Sequence, residues 1–432
     1  MLEYLHLKNV GPAPEMELEL APRLNLLTGD NGLGKSFLLD CAWWALTQKW
    51  PQDLNANLTS GYRAVPRDVK QPATIGFKLQ SKTKAVAYAS KYSPDDQRWV
   101  GKAGRPANPG LVIYAHADGG FSVWDPARNY WKKRGNEDVQ ETVPAYVFSP
   151  QEVWNGRVID FKGKPTMICR GLIEDWAIWI RENGRAADLM QTILNRLAPP
   201  GESIEVGPLL RLSVYDARDI PSVKTPYADA VRVVHASAGM RRIIGLAYIL
   251  MWSWDEHTRN ADLQGRAWTE HVTLIFDEIE SHLHPRWQRS ILGSLLHVAQ
   301  ALHQKATVQL IGATHSPLVL TSAEPFFDEK TDAWFDLDLD RETNTVALRR
   351  RLFVHHGDAS NWLASNAFDL KEARSLEAET AMEKARALLR QKKPTLKQAN
   401  AITRELGAAG LSGIDPFWVG WGTFVERLGG RI

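Results

Sequence analysis

Apolar and polar positions follow two rhythms along this chain. Leu2–Lys8 (LEYLHLK) and residues 16–20 (MELEL) alternate at period two, the mark of strands with one buried face. The intervening Asn9-Val10-Gly11-Pro12 reads as a turn, so the segment predicts a hairpin. Residues 24–28 (LNLLT) form a short apolar run that suits a buried strand, and 37–46 (FLLDCAWWAL) continue as a helix. Between 51 and 140 the runs shorten. Stretches such as 73–79 (ATIGFKL) and 111–114 (LVIY) are broken by Pro, Gly and Asp, which predicts an antiparallel β-meander inserted into the core.

The longer rhythm then returns. Residues 145–151 (AYVFSPQ) predict a strand ending at a glutamine. A helix is expected over 170–195, with Leu172, Trp176, Trp179 and Ile180 sharing one face; Pro199-Pro200-Gly201 stops it, and a strand is expected over 209–214. A long apolar helix opens near His235 and runs through Trp254. Residues 272–276 and 307–314 are apolar and β-branched, as buried parallel strands are. Ala378, Met382, Ala385 and Leu389 repeat at helical spacing in the tail, which carries an aromatic segment over 415–421 suited to internal packing or to docking. Strands interleaved with helices define an α/β protein. Its expected parts are residues 1–50, an inserted basic subdomain over 51–140, the remainder of the core over 141–355, and a helical extension over 356–432.

Composition changes this picture little. The 432 residues are 44% hydrophobic and 24% charged, ordinary values for a globular chain. The net charge of +2 predicts no strong overall attraction to polyanions. The charge is uneven, however: residues 51–134 carry 14 Lys or Arg against 6 Asp or Glu, leaving −6 on the rest. Lys78, Lys82, Lys84, Lys91, Arg98, Lys102 and Arg105, interleaved with Tyr92 and Trp99, could track the phosphates of DNA across 78–105. The same lysines would equally form the solvated, edge-protecting face of a small sheet. Two cysteines, Cys41 and Cys169, form no C-x-x-C pair, and a reducing, cytoplasmic setting is expected. No apolar run reaches the ~18 residues of a membrane helix, and the opening MLEYLHLKN lacks a signal-peptide core, so no membrane association is expected.

The chemistry concentrates in a few places. Residues 29–36 (GDNGLGKS) match the phosphate-loop pattern G-x-x-x-x-G-K-[ST] at every fixed position, between a strand and a helix. Gly29, Asp30, Asn31, Gly32, Leu33, Gly34, Lys35, Ser36 and Phe37 are therefore expected to cradle ATP. Lys35 would reach the β- and γ-phosphates, and Ser36 would place its hydroxyl on Mg²⁺. The strand 272–276 ends in Asp277 and Glu278, which period-two geometry sends to opposite sides. Asp277 is the expected Mg²⁺ ligand, and Glu278 the group that activates water. Gln151 could also ligate Mg²⁺ and sense the γ-phosphate. His315, at the end of the second apolar strand, could orient that water and donate to the γ-phosphate. Ser237 suits a helix cap and Gly239 leaves its amide bare, an anion site that makes sense if it closes on the nucleotide of another copy. Ser237 precedes Asp277 by 40 residues, and His315 follows it by 38. Two weaker readings remain. Glu280, His282 and His284 invite zinc, although Pro285 opens a helix there. Asp336, Asp338 and Asp340 could bind a nuclease metal, although Arg349-Arg350-Arg351 offers cross-strand partners.

Taken in order, GDNGLGKS, Gln151, SAGMR, LIFDE and ATHSP resemble the ABC-type ATPases of the branch containing SMC, RecF and OLD-like proteins. The spelling DEIE…LHP is closest to bacterial anti-phage defence ATPases of Septu, PARIS or OLD type. The resemblance implies an ABC-ATPase-like P-loop fold with a mixed sheet, and a homodimer, or a higher oligomer of dimers, around two ATP·Mg²⁺. Lys35, Ser36, Gln151, Asp277, Glu278 and His315 would act in cis, and Ser237 and Gly239 in trans. Residues 281–284 (SHLH) stand where the family's interface loop crosses the dimer. The chain departs from the family by carrying Ala236 and Met240 where Leu and Gln or Glu are usual, so Arg241 or Arg242 would replace the missing polar group. The implied role is a regulatory switch or sensor for a separate effector, a nuclease or toxin, in anti-phage defence. The alternative is a RecF-like ATPase that binds DNA in repair.

Overall fold

The computed structural model describes all residues except 81–84, 102–105, 136, 140–143, 226, 366, 369 and 432. Two compact units divide the chain, Met1–Gly357 and Asp358–Ile432.

In the first unit, β1 (Leu2–Lys8) and β2 (Glu15–Glu19) form the expected antiparallel hairpin. Strand β3 (Leu24–Gly29) leads into helix α1 (Lys35–Thr47), whose apolar residues are buried nearly all round. β4 (Thr74–Gln80), β5 (Ala85–Ser93) and β6 (Arg98–Val100) join that hairpin in a five-stranded sheet of order β2-β1-β4-β5-β6.

Strands β7 (Leu111–Ala115) and β8 (Phe121–Trp124) do not belong to this meander, unlike the expected single insertion over 51–140. Every residue of both is buried. Two-sided burial explains why LVIYA lacks the alternation of a half-exposed meander strand. β7 lies parallel to β10 (His271–Phe276), which pairs in parallel with β11 (Thr307–Ala313). The eight-stranded sheet runs β9 (Tyr146–Phe148), β8, β7, β10, β11, β3, β12 (Asp332–Asp340) and β13 (Thr345–Arg351). Its five central strands are parallel and its flanking pairs antiparallel, so the sheet is mixed. The fold is α/β with a large mixed sheet and a helical carboxyl-terminal unit.

Four further expectations differ from the structure. Residues 170–195 form two helices, Leu172–Glu182 and Arg185–Leu197, because Asn183 takes a left-handed conformation (φ 46°) that ends the first. Left-handed Asn is a common helix stop. The expected strand at 209–214 shrinks to Leu210–Arg211, since Val214 and Tyr215 lie exposed with no sheet face to cover. The strand before Gln151 ends at Phe148, and Ser149 caps helix α2 (Pro150–Asn155) in a capping box with Glu152. The long helix α3 (Ala238–Leu263) outruns its expected end.

The basic stretch is only partly described: Lys82, Lys84, Lys102 and Arg105 lie outside the described residues. Lys78, Lys91 and Arg98 are exposed. Tyr92 and Trp99 meet edge to face at 5.3 Å, and Trp99 packs beside Trp44 and donates to the Ala64 carbonyl. Both rings are partly buried and pack against the core.

The second unit has its own core, in which Trp421 is fully buried among Ala385, Leu388, Ala399 and Leu406. Asp415 receives Arg374 at 2.8 and 3.0 Å and caps Phe417. The aromatic segment 415–421 thus packs internally through Trp421. No helix among the described residues is long and apolar enough to cross a membrane.

Candidate active site

The parallel register brings the carboxyl ends of β3, β7, β10 and β11 to one edge. Phe276 pairs with Ala115 and Gly312, and Ala313 with Leu27, so Gly29, His116, Asp277 and His315 emerge side by side. Crevices at such strand ends are where α/β sheets bind ligands.

The phosphate loop is shaped by backbone geometry. Gly29, Gly32 and Gly34 have φ of 128°, 80° and 99°, which side-chain-bearing residues rarely adopt. At Gly29 a Cβ would stand 2.1 Å from the Leu337 carbonyl oxygen, so the loop cannot take another residue there without moving β12. No side chain caps the start of α1, which leaves its first amides for an anion. Lys35 is 6% exposed, and its Nζ donates to the carbonyls of Gly29 and Asp30 at 2.7 and 2.8 Å. Burial lowers its pKa, against Asp277, Asp30, Glu280 and Glu278, which raise it. Asp30, Asn31, Gly32 and Ser36 are exposed and Leu33 is buried. The Phe37 ring lies against Gly11, so its side chain serves packing.

Asp277 is 3% exposed and accepts a hydrogen bond from the Ser36 hydroxyl. Burial pushes its carboxyl up to about 6; Glu278 adds to that, while the Ser36 bond and the Lys35 and Arg242 charges oppose it. A hydroxyl and a carboxylate in contact are the hard oxygen donors that suit Mg²⁺. Glu278 takes φ 52°, a left-handed conformation costing about 1–2 kcal/mol for an L residue. Glu278 makes no side-chain hydrogen bond among the described residues, which leaves it free to accept a proton.

His315 is half-buried. Burial lowers its pKa, helped by Lys35 and opposed by Glu280, Glu278 and Asp30, so the ring is neutral at pH 7. Glu280 fixes its backbone, accepting from the Thr314 hydroxyl at 2.6 Å and the His315 amide at 2.5 Å. That role accounts for Glu280 without zinc. His284 caps the short helix that Pro285 opens. Likewise Asp336 accepts from Thr28 and pairs with Arg351 at 3.3 Å, which accounts for the alternating acids without a metal.

The remaining expected residues sit on helices α2 and α3. Gln151 sits exposed in the first turn of α2 and lines a cavity of about 400 Å³ with Asp118, Arg241, Arg242 and His282. Ser237 caps α3 by accepting from the Met240 amide. Gly239 has a reason beyond a bare amide: a Cβ there would lie 2.7 Å from the His282 carbonyl oxygen.

Several residues at the site gave no motif signal. Tyr114 donates to Asp40 at 2.9 Å, and its ring lies 4.0 Å from that of His116. His116 bonds Ser60 and Ser122 through its two ring nitrogens, and burial holds its pKa well below the usual range. Arg242 donates from Nη2 to the His116 carbonyl at 2.8 Å, and Arg241 alone of the two is exposed. The Arg242 Nη1 is shielded from solvent and finds no partner among the described residues, a loss of about 1–3 kcal/mol if nothing satisfies it. Pattern reading could have flagged Asp40, a carboxylate inside an otherwise apolar helix, but only β7 supplies its partner.

The Septu protein PtuA of Bacillus mycoides (strain KBAB4) is 34% identical over 84 residues, 19% of this chain and 10% of that protein. The match thus spans about a tenth of that relative's length. The SMC head domain from Thermotoga maritima superposes with a TM-score of 0.39 at 14% identity, covering 81% of this chain and 99% of that one. The recombination mediator protein RecF gives 0.38 at 13% identity, covering 78% and 96%. Residues 24–321, more than half of the chain, match the family described as "AAA domain, putative AbiEii toxin, Type IV TA system", and the chain belongs to that family.

Proposed function

We propose that this protein is an ATP-hydrolysing switch. The observation that carries the reading is the meeting of Lys35, Ser36, Asp277, Glu278 and His315 at one edge of the sheet, with Ser36 bonded to Asp277. Lys35 exchanges its two loop carbonyls for the β- and γ-phosphates, while the uncapped start of α1 receives phosphate oxygens. Ser36 and Asp277 hold Mg²⁺, with Gln151 as the further candidate ligand. When bound, Mg²⁺ neutralises charge on the phosphates. Glu278 accepts the proton of the attacking water, and neutral His315 donates a hydrogen bond to the γ-phosphate. Ser237 and Gly239 of a second copy close over the nucleotide, so that ATP drives dimerisation, or the assembly of dimers into larger oligomers.

The likeness to a Septu protein and the family's toxin–antitoxin description support a place in bacterial defence. In that role the switch restrains or licenses a separate effector, a nuclease or toxin. The reading places the protein in the cytoplasm.

The test is ATP cleavage by the purified protein and by Glu278→Gln, with mass measured by light scattering. The expected result is slow phosphate release by the wild type, and a variant that binds ATP, releases phosphate only at a small residual rate and accumulates as a dimer. A wild type that releases no phosphate with Mg²⁺, or a variant that turns over normally, overturns the proposal. For the defence role, phage restriction should depend on a neighbouring gene; restriction indifferent to every neighbour overturns it.

A further inference from the structure

Two charged groups beside the candidate site are each left without a partner. One is the Glu278 carboxylate, which follows a left-handed backbone (φ 52°) and makes no side-chain hydrogen bond among the described residues. The other is Nη1 of Arg242, shielded from solvent and equally unmatched. The attraction between them is felt: Asp118, Asp277 and Glu278 all stabilise the Arg242 charge against its burial. Asp118 is already engaged, by Thr59 and by the Gly120 amide. Asp277 is engaged by Ser36. Glu278 is the acid still free.

The two groups also sit on elements that touch. Arg242 lies one turn into α3, whose start packs on the turn that carries Glu278. Gly239 approaches the His282 carbonyl so closely that a Cβ would stand 2.7 Å from it. That turn is internally tied, with the Ser281 amide donating to the Glu278 carbonyl and the Leu283 amide to the Glu280 carbonyl, both at 2.9 Å. The start of α3 therefore adjoins the Glu278 turn through Gly239 and His282. The cavity of about 400 Å³ lined by Arg242, Asp118, Gln151 and His282 leaves the guanidinium room to shift.

We propose that Arg242 is a positioning residue for hydrolysis: docking of the α3 start on a second copy's nucleotide brings its free Nη1 donor to the Glu278 carboxylate and holds that carboxylate toward the water. Hydrolysis is thereby tied to closure, because the pair completes only when α3 is loaded. The inference rests on the proposed ATPase reading. It adds a cis contact from the helix whose capped start acts in trans.

The experiment is a double-mutant cycle in single-turnover ATP cleavage, using Arg242→Gln and Glu278→Gln singly and together, alongside binding of a fluorescent ATP analogue. Arg242→Gln should bind the analogue almost as wild type does, with the cleavage rate down on the order of tenfold. In the Glu278→Gln background the same change should add almost no further loss, because the partner is already absent. Arg242→Lys, which keeps the charge and one donor, should recover part of the rate and serves as the test if Arg242→Gln does not fold. An unchanged rate in a folded Arg242 variant, or an equal loss in both backgrounds, overturns the inference. A wild type that never cleaves ATP fails the ATPase reading instead.

Discussion

The phenol of Tyr114 donates to the carboxyl group of Asp40 at 2.9 Å, joining the strand beside Asp277 to the helix that opens at Lys35. Burial pushes the Asp40 pKa up to about 8, with the Tyr114 bond opposing and the Asp277 charge adding to the rise. At neutral pH the group is therefore mainly a carboxylic acid. It fills a buried polar position behind the phosphate loop without adding a second full charge next to Asp277.

The pair gives a stability prediction with a definite sign. Unfolded Asp40 titrates near 3.8 and the folded group near 8, so folding favours the protonated form. Its contribution to stability is complete below the unfolded value and is lost as pH rises through the folded one. Asn cannot ionise, yet it still accepts from Tyr114. The melting temperature of Asp40→Asn relative to wild type should climb from about pH 5 to about pH 8 and level off above it. A difference that is flat across that range refutes the assignment.

Asp277 sets a second pH dependence. Its folded carboxyl titrates near 6, raised first by burial, and Mg²⁺ needs it ionised. Proton and metal therefore compete below that value. Mg²⁺ affinity in the presence of ATP should fall by up to about tenfold per unit as pH drops below about 6. Titration calorimetry with Mg²⁺ at several pH values checks this; an affinity that does not change between about pH 7 and about pH 5 is the contrary result. The metal-free protein behaves in the opposite sense, since this group's contribution to stability declines as pH rises from 3.8 through about 6.

How much of this was legible beforehand follows from where the information resides. Lys35, Ser36, Asp277 and His315 were readable because each closes an apolar strand or opens a helix, and strand ends converge in a parallel sheet. The place of β7 was not readable. Its five buried residues look like any short apolar run, and only pairing with β10 removes them from the meander. Tyr114 lies in β7 and His116 and Asp118 follow it, so they were invisible for the same reason. The break at Asn183 depended on one left-handed residue, which sequence periodicity does not register. Arg242 was legible as a charge, but its direction was not: helical phase turns it inward to His116 while Arg241 faces out.

Gly239 makes a steric prediction. The His282 carbonyl lies 2.7 Å from where a Cβ would stand, and a backbone oxygen cannot rotate away as a side chain does. Gly239→Ala should push the start of α3 off the 278–283 turn, at about 1–3 kcal/mol in stability. Alanine favours a helix interior, which offsets at most about 1 kcal/mol. Chemical denaturation should show net destabilisation, with a larger proportional loss in ATP cleavage than in ATP binding. A variant as stable and as active as wild type shows that the close approach does not constrain the site.

Glu280 separates placement of His315 from the histidine's own chemistry. Its carboxylate receives both the Thr314 hydroxyl and the His315 amide, so one side chain holds the end of β11 against the turn from β10. Hydrogen bonds to a charged group contribute about 1.5–3 kcal/mol, and Glu280→Ala leaves both donors unmatched. Glu280→Gln keeps one acceptor oxygen and turns an NH₂ toward the remaining donor, so it should lie between Ala and wild type in stability. Both variants retain Lys35 and the uncapped start of α1, and ATP binding should survive in both. Cleavage should fall in the order wild type, Gln, Ala, and His315→Ala should add little to the loss in Glu280→Ala, because the imidazole is already misplaced. Full multiplication of the two losses would show that His315 keeps its position without Glu280.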